Sequence, residues 1–238
     1  MSLRTKLFIF FTILAIIPLV IAGRSMIRIT QDELKSSAND SLIMVASQIT
    51  QIIDDFYRYT WLNPLLLIQK AIQNENLGVN EKISLLTEGM KNATDIVALQ
   101  SSVEGVASPL LVIQDEFANK LKKLYLEATN ILKLKPDKIA ALRKKEEIFV
   151  GDLTVIPEGD IWLLTIILPL DKKTFGRSAT ISARINLDRL RTRIETHPFN
   201  KTGSITLIDR EGHKIFDRNR PDLSQFTLVK IAKKNFTF

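Results

Sequence analysis

Leu7 to Ala22 reads LFIFFTILAIIPLVIA, an apolar run broken only by Thr12 and Pro18 and free of charge. With Gly23 it covers residues 7–23, about 17 positions, the short end of what a bilayer span needs. Arg4 and Lys6 precede it and Arg24 follows, so snorkelling cations can make up the length. Beyond it, residues 24–60 contain neither Pro nor Gly. Leu42, Val45, Ile49, Ile52, Phe56 and Tyr59 step alternately by three and four, the a/d seam of a helix that packs along one stripe. That seam suits a parallel helix pair in a homodimer and suits packing against the same chain equally well. Asn63-Pro64 should end this helix. Two shorter helices are expected over 65–74 and 81–92.

The period then changes. DIVALQ (95–100) and LLVIQ (110–114) read as strands joined by a turn at 101–105. Residues 116–148 return to a helical pattern, divided at Lys135-Pro136-Asp137. IFVGDLTVIP (148–157) and IWLLTIILPL (161–170) are strands, and the second, apolar on both faces, should be central. After a loop at 171–176, SATISARIN (178–186) alternates cleanly: Ala179, Ile181, Ala183 and Ile185 on one face, Thr180, Ser182, Arg184 and Asn186 on the other. A short helix fills 187–195. Consecutive strands linked by turns predict an antiparallel sheet flanked by helices, an α+β class fold. GSITLID (203–209) and HKIFD (213–217) read as a further hairpin with nothing visible to complete its sheet. Residues 198–238 are therefore expected to be the incomplete start of a second module, in a chain that continues.

Composition narrows the function. The 238 residues are 45% hydrophobic and 25% charged, enough for a real core, and the net charge of +7 is spread along the chain. With no cysteine there are no disulfides, thiolate metal sites or cysteine nucleophiles. His197 and His213 stand apart from other ligands, so no metal site is expected. No phosphate loop, nucleophile elbow or paired-histidine motif occurs, so no catalytic residue and no cofactor are assigned and the chain does not read as an enzyme. The lysines of 120–145 lack interleaved aromatics, which argues against nucleic acid. What is left is a pocket between sheet and helices. Its candidate lining is Tyr125 on a helix, Asp152 and Thr154 on one strand, Trp162 on the next and Arg184 on the last. Arg184 could offer a planar fork to a carboxylate; its bland alternative is a solvated strand face.

The ordered set IFVGDLTVIPEGDIWLLTIILPLDKKTFGRSATISARINLDRL followed by KTGSITLIDREGHKIFD resembles the double Cache sensor regions of bacterial membrane receptors. The resemblance spans roughly residues 30–220. It implies a membrane-distal PAS-like module over 61–197 and the start of a membrane-proximal one at 198–238. It also implies residues 24–238 outside the cytoplasm, residues 1–6 as a cytoplasmic tail, and a single pass through the inner membrane. Ligand binding would shift two helix arrangements, with any catalytic output lying C-terminal. Amine-binding members carry an acidic residue on the last distal strand and an aromatic and basic cluster on the long distal helix. Here the strand position holds Arg184, and Lys122-Lys123-Leu124-Tyr125 lacks the cluster, so the implied partner is a small anionic molecule such as a carboxylate. An exported binding protein released by cleavage near Val20-Ile21-Ala22 and a ligand-free dimerisation element are the other readings. Carbonate extraction separates the first two: an uncleaved anchor keeps the chain in the membrane pellet, whereas soluble release with a new N-terminus near Gly23 contradicts it.

Overall fold

A computed structural model describes residues 3–74, 76–106, 109–142, 147–171, 177–209, 211–227 and 229–230. The chain divides into two units, residues 1–52 and 53–238.

The first unit is the greater part of α1 (Leu3–Asp55), continuous for 53 residues with Pro18 inside it. The absence of glycine after residue 23 is what sustains such a length. Along the 3-4 seam Leu42 is exposed, Val45 and Ile52 are half-buried and Ile49 is buried. Among the described residues no helix is long and apolar enough to cross a membrane. The side chains of residues 4–15 and 17, most of the expected span 7–23, lie outside that description.

The second unit begins with a correction. Asn63-Pro64 does not break the helical path. Phe56–Leu62 forms a π-helical turn, Asn63 N–H donates to Arg58 O, and α2 (Asn63–Gln73) continues with Pro64 in its first turn. Proline lacks a donor and collides with the carbonyl four residues back in an α register. The wider π turn relieves that collision, and such turns often mark working sites. Next come α3 (Val79–Asn92), β1 (Ile96–Val103), β2 (Leu110–Ile113), α4 (Asp115–Lys123), α5 (Ala128–Leu132) and α6 (Pro136–Leu142). The helical region read as 116–148 thus has a second break: Tyr125 sits at φ 59°, a left-handed conformation no helix continues through. Then follow β3 (Phe149–Ile156), β4 (Ile161–Leu170), β5 (Ala179–Asn186) and α7 (Asp188–Glu195).

All strand pairs are antiparallel, in the order β2-β1-β5-β4-β3, so β5 is central and β4 flanks it. One face, with Ile185, Ala183, Leu164 and Ile166, carries apolar side chains; Leu65, Ile68, Ile72, Leu86 and Met90 of α2 and α3 are buried in the same unit. The other face mixes polar and apolar side chains, and on it Ala98, Phe117, Leu121, Leu132 and Leu163 cluster with α4 and α5.

The expected hairpin strands 203–209 and 213–217 do not form. In their place are isolated bridges, Ile208 with Lys214 and His213 with Asp222. A hairpin with no third strand or covering helix is marginal, and these residues settle into turns. They are tied down by one aromatic: Phe216 meets Trp162 edge-on at 5.7 Å, and the Arg191 guanidinium lies 5.9 Å from the Phe216 ring. Asp160 receives Arg191 at 2.8 Å and Arg218 at 3.4 Å, and hydrogen bonding to Arg191, followed by Trp162, holds its carboxyl below the usual range. The expected loop 171–176 beyond Asp171 and the expected end of the chain at 231–238 fall outside the described residues. Hydrogen exchange should show strong protection across 161–186 and weak protection across 203–227; equal protection in both would contradict a tail without regular sheet pairing.

Candidate functional site

Strand register decides which candidates meet. Directly opposed residues share a face, so Gly151, Thr165, Arg184, Ala98 and Ile113 form one row across the sheet. Phe149, Ile167, Ser182, Gln100 and Leu111 form the next, and Pro169, Thr180 and Ser102 a third. Gln100, Thr165, Thr180, Ser182 and Arg184 are all buried, so the polar face of β5 is covered and the solvated alternative does not hold.

Two kinds of cover lie over it. Gln100 accepts from Leu134 N and donates to Leu134 O, both at 2.8 Å, clamping the α5–α6 connection to the middle row. This doubly paired amide satisfies both polar ends of a buried side chain. Further along, Lys138 on α6 reaches Asp152 at 2.8 Å. Where α6 passes the third row, a cavity of about 550 Å³ opens, lined by Ser102, Thr180, Val103, Val106, Pro136 and Ile139. It has the mixture of apolar wall and few polar groups that small-molecule sites show.

Arg184 is the charged centre. It stands directly opposite Thr165 across the β4–β5 ladder. Its Nη1 donates to the Thr165 hydroxyl, which in turn donates to Asp152 Oδ2 at 3.3 Å; Nη1 also lies 3.4 Å from Asp152 Oδ2. Asp152 occupies a β-bulge of β3 at φ 52°, where the ladder shifts between Gly151 and Thr154. The bulge turns Asp152 out of register and toward Arg184, at a backbone cost of roughly 1–2 kcal/mol. Burial pushes the Arg184 guanidinium below its ordinary pKa, and Asp152 only partly opposes this. Arg184 Nε is buried with no hydrogen-bond partner. An unpaired buried donor costs about 1–3 kcal/mol, more beside a charge. Lys138, Arg184 and Asp152 together leave one unbalanced positive charge.

The other candidates stand apart from this centre. Thr154 shares its face, opposite Leu163. Trp162 is buried, but strand alternation sends it to the opposite face, where its indole N–H meets Asp160 at 3.3 Å. Tyr125 is 99% exposed at the end of α4. Lys138, Thr165 and Gln100 were missed. Thr165 carried a signal, the single hydroxyl within an apolar central strand. Lys138 carried none, being one lysine among many on a polar stretch. Among the described residues no group of three or more acids and histidines could hold a metal ion.

No protein-family model and no curated protein matches the sequence. Solved structures do match the fold. The ligand-binding domain of Mlp24 with asparagine aligns at a TM-score of 0.57 and 13% identity, over 82% of this chain and 78% of that one. The ligand-binding domain of the Pseudomonas aeruginosa PAO1 amino acid chemoreceptor PctC, in complex with GABA, aligns at 0.54 and 10%, over 78% and 80%. The chain has the fold of the Cache-type sensor domains. At such low identity the shared property is the Cache-type architecture; the polar groups on this chain's β5 must be argued from their own chemistry.

They make a stability prediction. Asp152→Ala leaves Arg184 buried without its counter-charge and should cost about 3 kcal/mol in urea unfolding. Adding Arg184→Met should recover more than half of that, since both charges are then gone. Additive losses in the double variant would show that the two side chains do not act as a pair.

Proposed function

We propose that this chain is the extracytoplasmic ligand-sensing region of a bacterial membrane receptor, anchored by residues 7–23, and that the polar face of β5 receives a small anionic molecule. The observation that carries this reading is the buried Arg184 guanidinium with an unpaired Nε in a centre of net positive charge. A carboxylate answers both defects at once, supplying an acceptor and a negative charge. An ammonium group there would meet like charge. The two neighbours of this fold were solved with asparagine and with GABA, molecules that carry a carboxylate along with an amine. Asp152 and Arg184 line our proposed site on the sheet, with Thr154 on the same face; Trp162 supports the tail, and Tyr125 stands outside the site.

The signal would leave through the anchor helix. β5, which carries Arg184, runs directly into α7, whose Arg189 donates to Thr94 at 3.0 Å and to Asp95 at 3.3 Å. Asp95 is buried and accepts from Trp61 Nε1 at 3.0 Å, within the π turn. Arg189 also lies 6.0 Å from the Phe56 ring. A shift of β5 would therefore pull on the turn through Asp95, at the point where the helix register is already altered. Leu42, Ile43 and Met44 are exposed on α1 and leave the lower seam for a homodimer partner.

A thermal-shift panel of amino acids, mono- and dicarboxylates and simple amines tests the reading. Carboxylates should raise the melting temperature, and Arg184→Ala should weaken their binding about tenfold to a hundredfold, the range of one charged hydrogen bond. Tight binding of a simple cationic amine, untouched by that substitution, would overturn it.

A further inference from the structure

The site is already occupied from within. Lys138 Nζ at 2.8 Å, Thr165 Oγ1 at 3.3 Å and Arg184 Nη1 at 3.4 Å converge on one atom, Asp152 Oδ2. Three donors around one carboxylate oxygen, two of them cationic, make an anion seat. Its occupant fits it poorly. Asp152 meets the guanidinium through one nitrogen only, at a long distance, although a carboxylate can grip a guanidinium fork with both oxygens. It holds that place through a left-handed backbone that an unbulged strand would not need.

We propose that Asp152 is a resident stand-in for the ligand, and that a small external carboxylate displaces it from Arg184; this step rests on the sensing reading above. The incoming group takes the place of Asp152 on Arg184 Nη1 and keeps Thr165 as a partner. Asp152 swings out toward solvent and no longer holds Lys138. The Gln100–Leu134 clamp and the apolar packing of Leu132 and Ile139 then hold the cover without that ion pair. α6 is free to shift, and the 550 Å³ cavity beside Ser102 and Thr180 joins the seat two rows away. Displacement thus converts binding at the sheet centre into release of the helix above it.

The test is rescue of a missing carboxylate. The full chain carrying Asp152→Ala is melted in sodium acetate and in sodium chloride at equal ionic strength. Acetate should restore the lost melting temperature saturably, with a half-saturating concentration at least tenfold below any acetate effect on the native chain. Asp152→Ala combined with Arg184→Gln should respond to the two salts alike. Equal response of the single variant to acetate and chloride overturns the displacement. Should that variant not fold in either salt, the Arg184 Nη1–H resonance of the native chain decides. A saturable downfield shift during acetate titration supports the seat, and an unmoved resonance overturns it. The two readings fail separately: a panel acid that binds the native chain without acetate rescue in Asp152→Ala sinks the displacement alone, whereas rescue with no panel acid binding the native chain sinks the sensing reading.

Discussion

A guanidinium in the middle of a five-stranded sheet is the constraint around which this domain is arranged. Arg184 sits on the central strand, buried, with helices over it. A charge in that position is tolerated only when partners are brought to it. The bulge at Asp152 and the hydroxyl of Thr165 serve that need. Even so the need is incompletely met, because Nε remains unpaired. A core built for stability alone would place an aliphatic residue there. A buried, under-satisfied cation is a standing demand for an anion.

The same strand connects the demand to a lever. β5 ends at Asn186, α7 follows at once, and Arg189 on α7 shares Asp95 with Trp61 of the π turn. Asp95 is buried, so neither bond can be exchanged freely for water. The π turn carries the helical path past Pro64, and under the proposed reading a movement of β5 would reach it through Asp95.

Much of the sheet was legible because alternation is a strong signal. The span 161–170 and the alternating face of 178–186 were read closely, since a doubly apolar run and strict period two each admit few other structures. Arg184 stood out for the same reason, an arginine on a face beside the central strand. What escaped was everything that depends on long-range partners. Lys138 is one of a series of lysines on a polar stretch until α6 is seen above Asp152. The positive φ of Asp152 and Tyr125 follows from bulge and turn geometry that propensity does not encode, and it removed Tyr125 from the site. Trp162 was placed with Arg184 although adjacent parity on neighbouring strands sends it to the other face. The break expected at Pro64 failed because a π turn can carry a helix past a proline, and the hairpin expected at 203–217 failed because two strands alone cannot hold a sheet.

The central claim is that Arg184 gives this domain its preference for negative charge. Isothermal titration of the native chain with a binding carboxylic acid and with its primary amide tests this most directly, because the two ligands differ by one charge and little in shape. The account predicts that the acid binds and that the amide is weaker by about a hundredfold, the loss of a charge-assisted pair in a buried site. An amide that binds as tightly as the acid would contradict it.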